Sequence, residues 1–154
     1  MIKGRPPRLD LIFQSYDALV FFVAFCTLHR VEIQNLDVAH DAFLLYARRA
    51  RDDFNVAVGR YVIMLNHVHF FVQGGLDFRL ETWVGGLKRS LSISLGRSNS
   101  TPLWQPGFFD HLLRNDESYA AKWEYVRENP VRAGLVSVAA DWKHQGEVVL
   151  IDRV

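Results

Sequence analysis

The chain has 154 residues, of which 49% are hydrophobic, and its 18 basic and 17 acidic side chains leave a formal net charge of +1. This length suffices for one domain with its own core, so we expect residues 1–154 to form a single domain. The near-zero charge argues against binding nucleic acid through bulk charge, and local clusters of basic residues matter more. The single cysteine, Cys26, excludes an internal disulfide and favours a reducing cytoplasm; we expect it to be an inert core thiol.

The N-terminus resembles a signal peptide, because three basic residues precede an apolar segment: Lys3, Arg5 and Arg8. Asp10 and Asp17 interrupt the approach to that segment. The uninterrupted apolar stretch 18–26 is too short to cross a bilayer. We therefore expect a buried strand here and no association with a membrane.

The first half of the chain predicts a strand, a helix and a strand pair. The run 18–28 is apolar on both faces, as in a central strand. A helix is predicted over 38–54, with Asn35 or Asp37 as its N-cap. Residues 56–72 alternate as two strands do and end at a pair of glycines.

The second half predicts a helix over 78–95, a strand over 108–114 and a third helix that opens at Asn115. Gly85 and Gly86 lie inside the first of these helices, where each glycine destabilises the helix by roughly 1 kcal/mol relative to alanine. A kink in the helix or a close approach of another element should therefore explain them. The tail after Ala140 receives no assignment. The order strand, helix, strand, strand, helix, strand, helix predicts an α+β fold with helices packed on a mainly antiparallel sheet.

Two histidines lie on the second strand of the predicted pair. Because side chains alternate along a strand, His67 and His69 share one face, and the core residues Val68 and Phe70 share the other. Residues two apart are roughly 6 to 7 Å apart along the strand, which suits two ligands of one divalent ion. Two histidines leave coordination positions open, as a catalytic metal requires. The alternative is a pair of half-exposed imidazoles that bond to neighbouring groups.

A tyrosine on the third helix lies away from the predicted packing stripe. On a helical wheel the stripe comprises four residues: Tyr119, Ala120, Trp123 and Val126. Tyr125 is then either a surface residue or a reactive one. Asn129 lies one turn later, and we expect Pro130 to end the helix there, which makes Asn129 a plausible third metal ligand.

Four segments form a recognisable series: Met-Leu-Asn-His-Val-His-Phe at 64–70, Lys-Arg-Ser at 88–90, Trp-Gln-Pro-Gly-Phe-Phe-Asp at 104–110, and 125–136, which ends in Asn-Pro-Val-Arg-Ala-Gly-Leu-Val. In this order they resemble the bacterial single-tyrosine transposases of the HUH class, and most of all the REP-associated tyrosine transposases. The resemblance covers most of the chain, from about residue 20 to residue 136. Two departures stand out. Leu65 replaces a common proline, and the tail at 142–145 lacks the Trp-Ser-Ser-Tyr type of segment.

The resemblance implies a ferredoxin-like HUH fold with the nucleophile, Tyr125, on the last main helix. It implies a divalent ion, Mg²⁺ or Mn²⁺, on His67, His69 and Asn129. The substrate would be single-stranded DNA flanked by hairpins, cleaved through a 5′-phosphotyrosine. Its backbone would be held by five basic residues: Lys88, Arg89, Lys122, Arg127 and Arg132.

The same resemblance implies a bacterial cytoplasmic protein that meets the nucleoid when it acts, and it leaves a homodimer open as the oligomeric state. Two alternatives stay open. One is a module that binds single-stranded or hairpin DNA without chemistry. The other is a metal-dependent phosphodiesterase in which water attacks in place of Tyr125.

Overall fold

In the computed structural model, which describes residues 19–113 and 119–151, one antiparallel sheet forms the centre of the molecule. Its strands run in the order β4-β1-β3-β2-β5. They are β1 (Val20–Cys26), β2 (Ala57–Ile63), β3 (His67–Gln73), β4 (Phe109–Leu112) and β5 (Gln145–Glu147). The helices are α1 (Leu36–Phe54), α2 (Leu80–Ser94), α3 (Tyr119–Val126) and the one-turn α4 (Asn129–Arg132), with short 3-10 turns at Leu28–Arg30 and Ala139–Asp141.

The chain order β1-α1-β2-β3-α2-β4 with β3 inserted between β1 and β2 is the split βαβ arrangement of ferredoxin-like folds. This confirms the predicted fold class. Every predicted strand and helix in the described ranges is present, with ends displaced by a few residues. The predicted opening of the third helix at Asn115 lies outside the described residues.

Helix α1 begins where its cap predicts. The Asn35 side chain accepts a hydrogen bond from the Val38 backbone N–H at 3.2 Å, which satisfies a donor left free by the first helical turn. The helix starts at Leu36, two residues before the predicted start, and ends at Asn55 in the left-handed conformation. Of the two candidate caps, Asn35 is therefore the correct one.

The sheet has a core on both faces. On one face α1 and α2 cover Val68, Phe70 and Val72 of β3. On the other, Phe22 and Phe71 lie in a second core with buried residues of α3: Tyr119, Trp123 and Val126. Strand alternation places Phe71 on the same face as His67 and His69, so the histidine face also carries core residues.

Helix α2 passes close to α1 at one of its two adjacent glycines. A Cβ atom on Gly86 would overlap the Tyr46 hydroxyl, which donates to the Trp83 carbonyl at 3.1 Å. The close approach of the two helices therefore explains Gly86. Gly85 faces open space, and nothing in the structure explains it.

The segment around Asn129 differs from its prediction. Helix α3 ends at Val126, and Asn129–Arg132 form a separate turn with Pro130 near its start. Proline is tolerated in a first helical turn because the N–H it lacks has no helical partner there. Pro130 therefore begins a helix where it was expected to end one. Ala120, assigned to the packing stripe of α3, is exposed.

The tail completes the sheet. Strand β5 pairs with β2, and the Trp142 indole donates to the Ile63 carbonyl at 3.0 Å. His144 is buried, with its Nε2 2.8 Å from the Asp37 carboxylate. Across 19–113 and 119–151, none of the helices has both the length and the apolar character needed to cross a membrane.

Candidate functional site

The strand register defines what surrounds the two histidines. His69 is the Cα partner of Ala24 on β1, and His67 is the partner of Cys26. Directly opposed residues of an antiparallel pair point to the same face. Cys26 therefore lies on the histidine face, half-buried, and its thiol donates to the Gln105 Oε1 atom at 3.3 Å. The prediction that Cys26 lies in the core was therefore wrong.

The two imidazoles lie close together and nearly perpendicular. Their ring centroids are 4.6 Å apart and their planes meet at 83°. Nδ1 of His67 lies 2.7 Å from Oδ1 of Asn66. Because an amide oxygen only accepts, this bond places the proton on Nδ1 and leaves the lone pair on Nε2. Such a partner orients a metal-binding imidazole.

Burial keeps both imidazoles in the neutral form. It is the main cause that lowers the pKa of His67, and the charge of Arg30 adds to it. Burial also lowers the pKa of His69 to about 3, with further contributions from His67, Lys122 and Arg132. Neutral imidazole is the form that coordinates a metal ion.

The two histidines suit a divalent ion, and among the described residues a third ligand would be of a type other than His, Cys, Asp or Glu. Nδ1 of His69 is buried and has no hydrogen-bond partner among the described residues. In that same part of the chain, no cluster of three or more His, Cys, Asp or Glu side chains is placed to hold a metal. An amide such as Asn129 fits this donor set, because its oxygen has two lone pairs and Arg132 uses one. The ligand set remains a prediction.

Tyr125 lies off the packing face of α3, as its position on the wheel predicted, and is 66% exposed. The guanidinium of Arg132 stacks over its ring at 4.3 Å and donates to the Tyr125 carbonyl oxygen at 2.7 Å. The same Nη2 atom donates to Oδ1 of Asn129. Since Arg132 also lowers the pKa of His69, it connects the tyrosine, the amide and the histidine pair.

Lys122 extends over the histidine face from α3. Its ammonium lies 4.8 Å from the centroid of the Phe22 ring. The Phe22 ring in turn stacks on His69, with centroids 5.6 Å apart and planes 15° apart. Of the five basic residues assigned to DNA, Lys122 and Arg132 therefore lie beside the histidines.

The other three basic residues have different surroundings. Lys88, assigned to the DNA backbone, is half-buried, and its ammonium donates to the carbonyls of Gln105 at 2.9 Å and Gly107 at 2.8 Å. Arg89 is exposed. Arg127 forms an ion pair with Glu124 at 3.3 Å. Contact between DNA and any of the five basic residues is still a prediction.

Sequence reasoning gave no role to four residues that border the site: Phe22, Asn66, Gln105 and Phe109. Asn66 had a signal, because it directly precedes His67 in a quoted motif. Gln105 and Phe109 also lie in a quoted motif, whereas Phe22 had no signal, because only strand pairing brings β1 next to β3.

Comparison with known proteins gives the family. The family model described as "Transposase IS200 like" matches residues 15–129. The REP-associated tyrosine transposase of Escherichia coli strain K12 is 28% identical over 97 residues, which are 61% of this chain and 56% of that protein. A putative REP-associated tyrosine transposase of Haemophilus influenzae is 40% identical over 42 residues, 27% of this chain and 24% of that protein. The match thus spans about half of the first relative and a quarter of the second.

Two solved structures share the fold. A REP-associated tyrosine transposase bound to a REP hairpin superposes with a TM-score of 0.67 at 21% identity, covering 83% of this chain and 75% of that one. A putative transposase from Deinococcus radiodurans superposes with a TM-score of 0.54 at 15% identity, covering 83% and 97%. At these identities the structures support the fold, whereas the family model spans well over half of the sequence. The chain belongs to the IS200-like transposase family.

Proposed function

We propose that this protein is a DNA strand-cleaving and strand-joining transposase with Tyr125 as its nucleophile. The observation that carries the proposal is the position of Arg132, which contacts Tyr125 and Asn129 at once and whose charge reaches His69. The tyrosine and the amide are thereby held together, and Lys122 of the same helix as Tyr125 lies over Phe22, which stacks on His69. Membership of the transposase family supports the same activity.

In the proposed reaction the Tyr125 phenolic oxygen attacks the scissile phosphorus of a DNA strand. The new bond joins phosphorus to the tyrosine oxygen, and the bond from phosphorus to the 3′ oxygen breaks. The proton leaves the phenol and a proton is gained by the departing 3′ oxygen, so the products are a 5′-phosphotyrosine and a 3′-hydroxyl. Because the ester is retained, another 3′-hydroxyl reverses the step without nucleotide hydrolysis.

The cations beside Tyr125 provide the electrostatics that this step needs. A phenol has an ordinary pKa of about 10, so its attack at neutral pH requires a setting that favours loss of the proton. The Arg132 guanidinium lies over the Tyr125 ring, and Lys122 and Arg132 would offset charge on the attacked phosphate. A divalent ion, Mg²⁺ or Mn²⁺, held by His67, His69 and Asn129 would add charge stabilisation at the phosphate.

The proposed substrate is single-stranded DNA next to a hairpin. A structural relative of this chain has been solved with a REP hairpin. The resemblance to the REP-associated tyrosine transposases implies an unpaired strand at the point of attack.

A denaturing gel tests the proposal. The probe is a pool of DNA hairpins with randomised single-stranded flanks, labelled at the 3′ end, because the proposed linkage leaves the 3′ fragment on the protein. The wild type should produce a labelled band that survives denaturation and disappears after protease treatment. Tyr125→Phe should produce none. Tyr46→Phe, which removes another hydroxyl on the far side of the sheet, should behave as the wild type.

The same hairpin pool, run on native and denaturing gels, separates the two alternatives. A binding module without chemistry retains the probe in a native gel and yields neither adduct nor cleaved strand. A phosphodiesterase that uses water yields a cleaved strand without adduct, and Tyr125→Phe leaves that cleavage unchanged. Either result contradicts Tyr125 as the nucleophile.

A further inference from the structure

One exposed aromatic side chain lies on the histidine side of the edge strand β4. Phe109 is 59% exposed, and its Cα partner on β1 is Ala24. Ala24 is in turn the partner of His69 on β3. The row Phe109, Ala24, His69 therefore crosses three strands on one face, and two strand spacings of about 4.8 Å place Phe109 about 10 Å from His69.

The Phe109 ring is held in place by a buried neighbour. Phe109 meets Phe22 edge to face, with ring centroids 6.4 Å apart and planes 66° apart. Phe22 is 5% exposed and stacks on His69. An exposed ring is thus supported from within by a ring that contacts the histidine pair. Because the Ala24 side chain is only a methyl group, it leaves a shallow depression in the protein surface between Phe109 and His69.

A positive charge from another element meets the same buried ring. The Lys122 ammonium lies 4.8 Å from the centroid of Phe22, so Lys122 of α3 and Phe109 of β4 both contact Phe22. A nucleotide offers a flat base and a negative phosphate a short distance apart. An aromatic face beside a cation is the combination with which proteins hold single-stranded nucleic acid.

We propose that Phe109 and Lys122 form a nucleotide subsite next to the histidines. An unpaired base stacks on the exposed face of Phe109, and the phosphate attached to it lies against Lys122. The subsite deepens the proposed function and rests on it for its location beside the scissile phosphate. It accepts any base, because every base has a π face.

The test measures base-dependent binding, which requires no cleavage. Two fluorescent strands serve as probes at one fixed salt concentration. One is a 20-nucleotide oligo(dT), and the other has the same length and label but consists wholly of abasic units. Each strand carries ~20 phosphates, so the electrostatic contribution to binding is matched. The wild type should bind oligo(dT) more tightly. Phe109→Ala should lose about 5-fold or more of affinity for oligo(dT) and none for the abasic strand.

Other variants separate stacking from burial and charge. Phe109→Leu keeps an apolar side chain but no aromatic face and should resemble Phe109→Ala. Phe109→Trp keeps an aromatic face and should retain the binding of the wild type. Lys122→Ala should weaken binding to both strands alike. The matched control is Phe54→Ala, the same change at an exposed phenylalanine at the end of α1, on the other side of the sheet, and it should alter neither affinity. Thermal unfolding of each variant confirms that it is folded.

Equal affinity of the wild type for both strands would overturn the subsite, and so would a Phe109→Ala variant that keeps the full preference for oligo(dT). Failure of the proposed function gives a different result. In that case the wild type forms no covalent adduct with the hairpin pool, while the loss of base preference in Phe109→Ala persists.

Discussion

The guanidinium carbon of Arg132 lies 4.3 Å from the centroid of the Tyr125 ring, although the two residues are seven positions apart in the chain. The contact depends on the short turn between α3 and α4, which directs Arg132 back toward the end of α3. The Arg132 side chain also donates to the Tyr125 carbonyl and to Oδ1 of Asn129. Arg132 is therefore placed to act on the tyrosine and on the amide, in addition to any contact with DNA.

Replacing Arg132 by alanine should reduce covalent adduct formation more than it reduces DNA binding. The variant loses both the cation over the tyrosine and the group that orients Asn129, so we expect at least a 10-fold fall in the single-turnover rate, with a smaller change in Kd. Arg132→Lys keeps the charge without the planar, forked donor and should recover only part of the rate. Arg49→Ala, at an exposed arginine of α1 on the other side of the sheet, is the control and should leave the rate within about 2-fold. Equal losses of rate and affinity in Arg132→Ala would assign Arg132 to binding alone.

The sequence was sufficient to place both histidines and the tyrosine because each placement depends on local periodicity. Alternation along β3 puts His67 and His69 on one face, and the wheel of α3 puts Tyr125 off the packing stripe. The surroundings of these residues depend on long-range pairing. Cys26 and Phe109 reach the site because β1 lies between β3 and β4, which no local pattern indicates.

Neutralising Lys88 should act on stability rather than on the salt dependence of DNA binding. Its ammonium joins the carbonyls of Gln105 and Gly107, so Lys88→Met should lower the midpoint of thermal unfolding through the loss of two hydrogen bonds to exposed carbonyls, a cost of about 1 kcal/mol. Arg89→Ala, at its exposed neighbour, should leave stability within about 0.5 kcal/mol. If Arg89 contacts a phosphate, its loss lowers the salt slope for single-stranded DNA by about 0.7. A slope change of that size in Lys88→Met, with unchanged stability, would restore Lys88 as a phosphate contact.

The tail shows a second limit of sequence reasoning. Strand β5 has three residues, too few for a period of two to be recognised. Its position is fixed by the Trp142 indole bond to the Ile63 carbonyl and by His144 beside Asp37. No sequence pattern indicates that the two residues of either pair are in contact, because each residue type is common in its own segment.

Substitutions two residues apart on α3 should separate stability from chemistry. Trp123 is 6% exposed in the second core, and Trp123→Ala should lower the free energy of unfolding by about 3 kcal/mol or more. Tyr125→Phe removes an exposed hydroxyl and should change it by no more than about 0.5 kcal/mol while it abolishes the adduct. Chemical denaturation of both variants measures the first quantity, and the denaturing gel measures the second. A large loss of stability in Tyr125→Phe would show that its hydroxyl is structural.

Asn66→Ala should weaken metal binding without touching a proposed ligand. The Asn66 side chain fixes the proton of His67 on Nδ1, and loss of such a partner typically lowers metal affinity by about 10–100-fold. We expect the concentration of free Mn²⁺ at half-saturation, followed by electron paramagnetic resonance, to rise within that range, and the Mn²⁺ concentration needed for half-maximal adduct formation to rise in parallel. Asn66→Asp keeps an acceptor for the Nδ1 proton and should bind Mn²⁺ at least as tightly as the wild type. His67→Ala and His69→Ala should eliminate this binding, although His69→Ala should also lose stability because its ring stacks on Phe22. If Asn66→Ala binds Mn²⁺ as the wild type does, while His67→Ala does not, then His67 is a ligand whose orientation does not depend on Asn66.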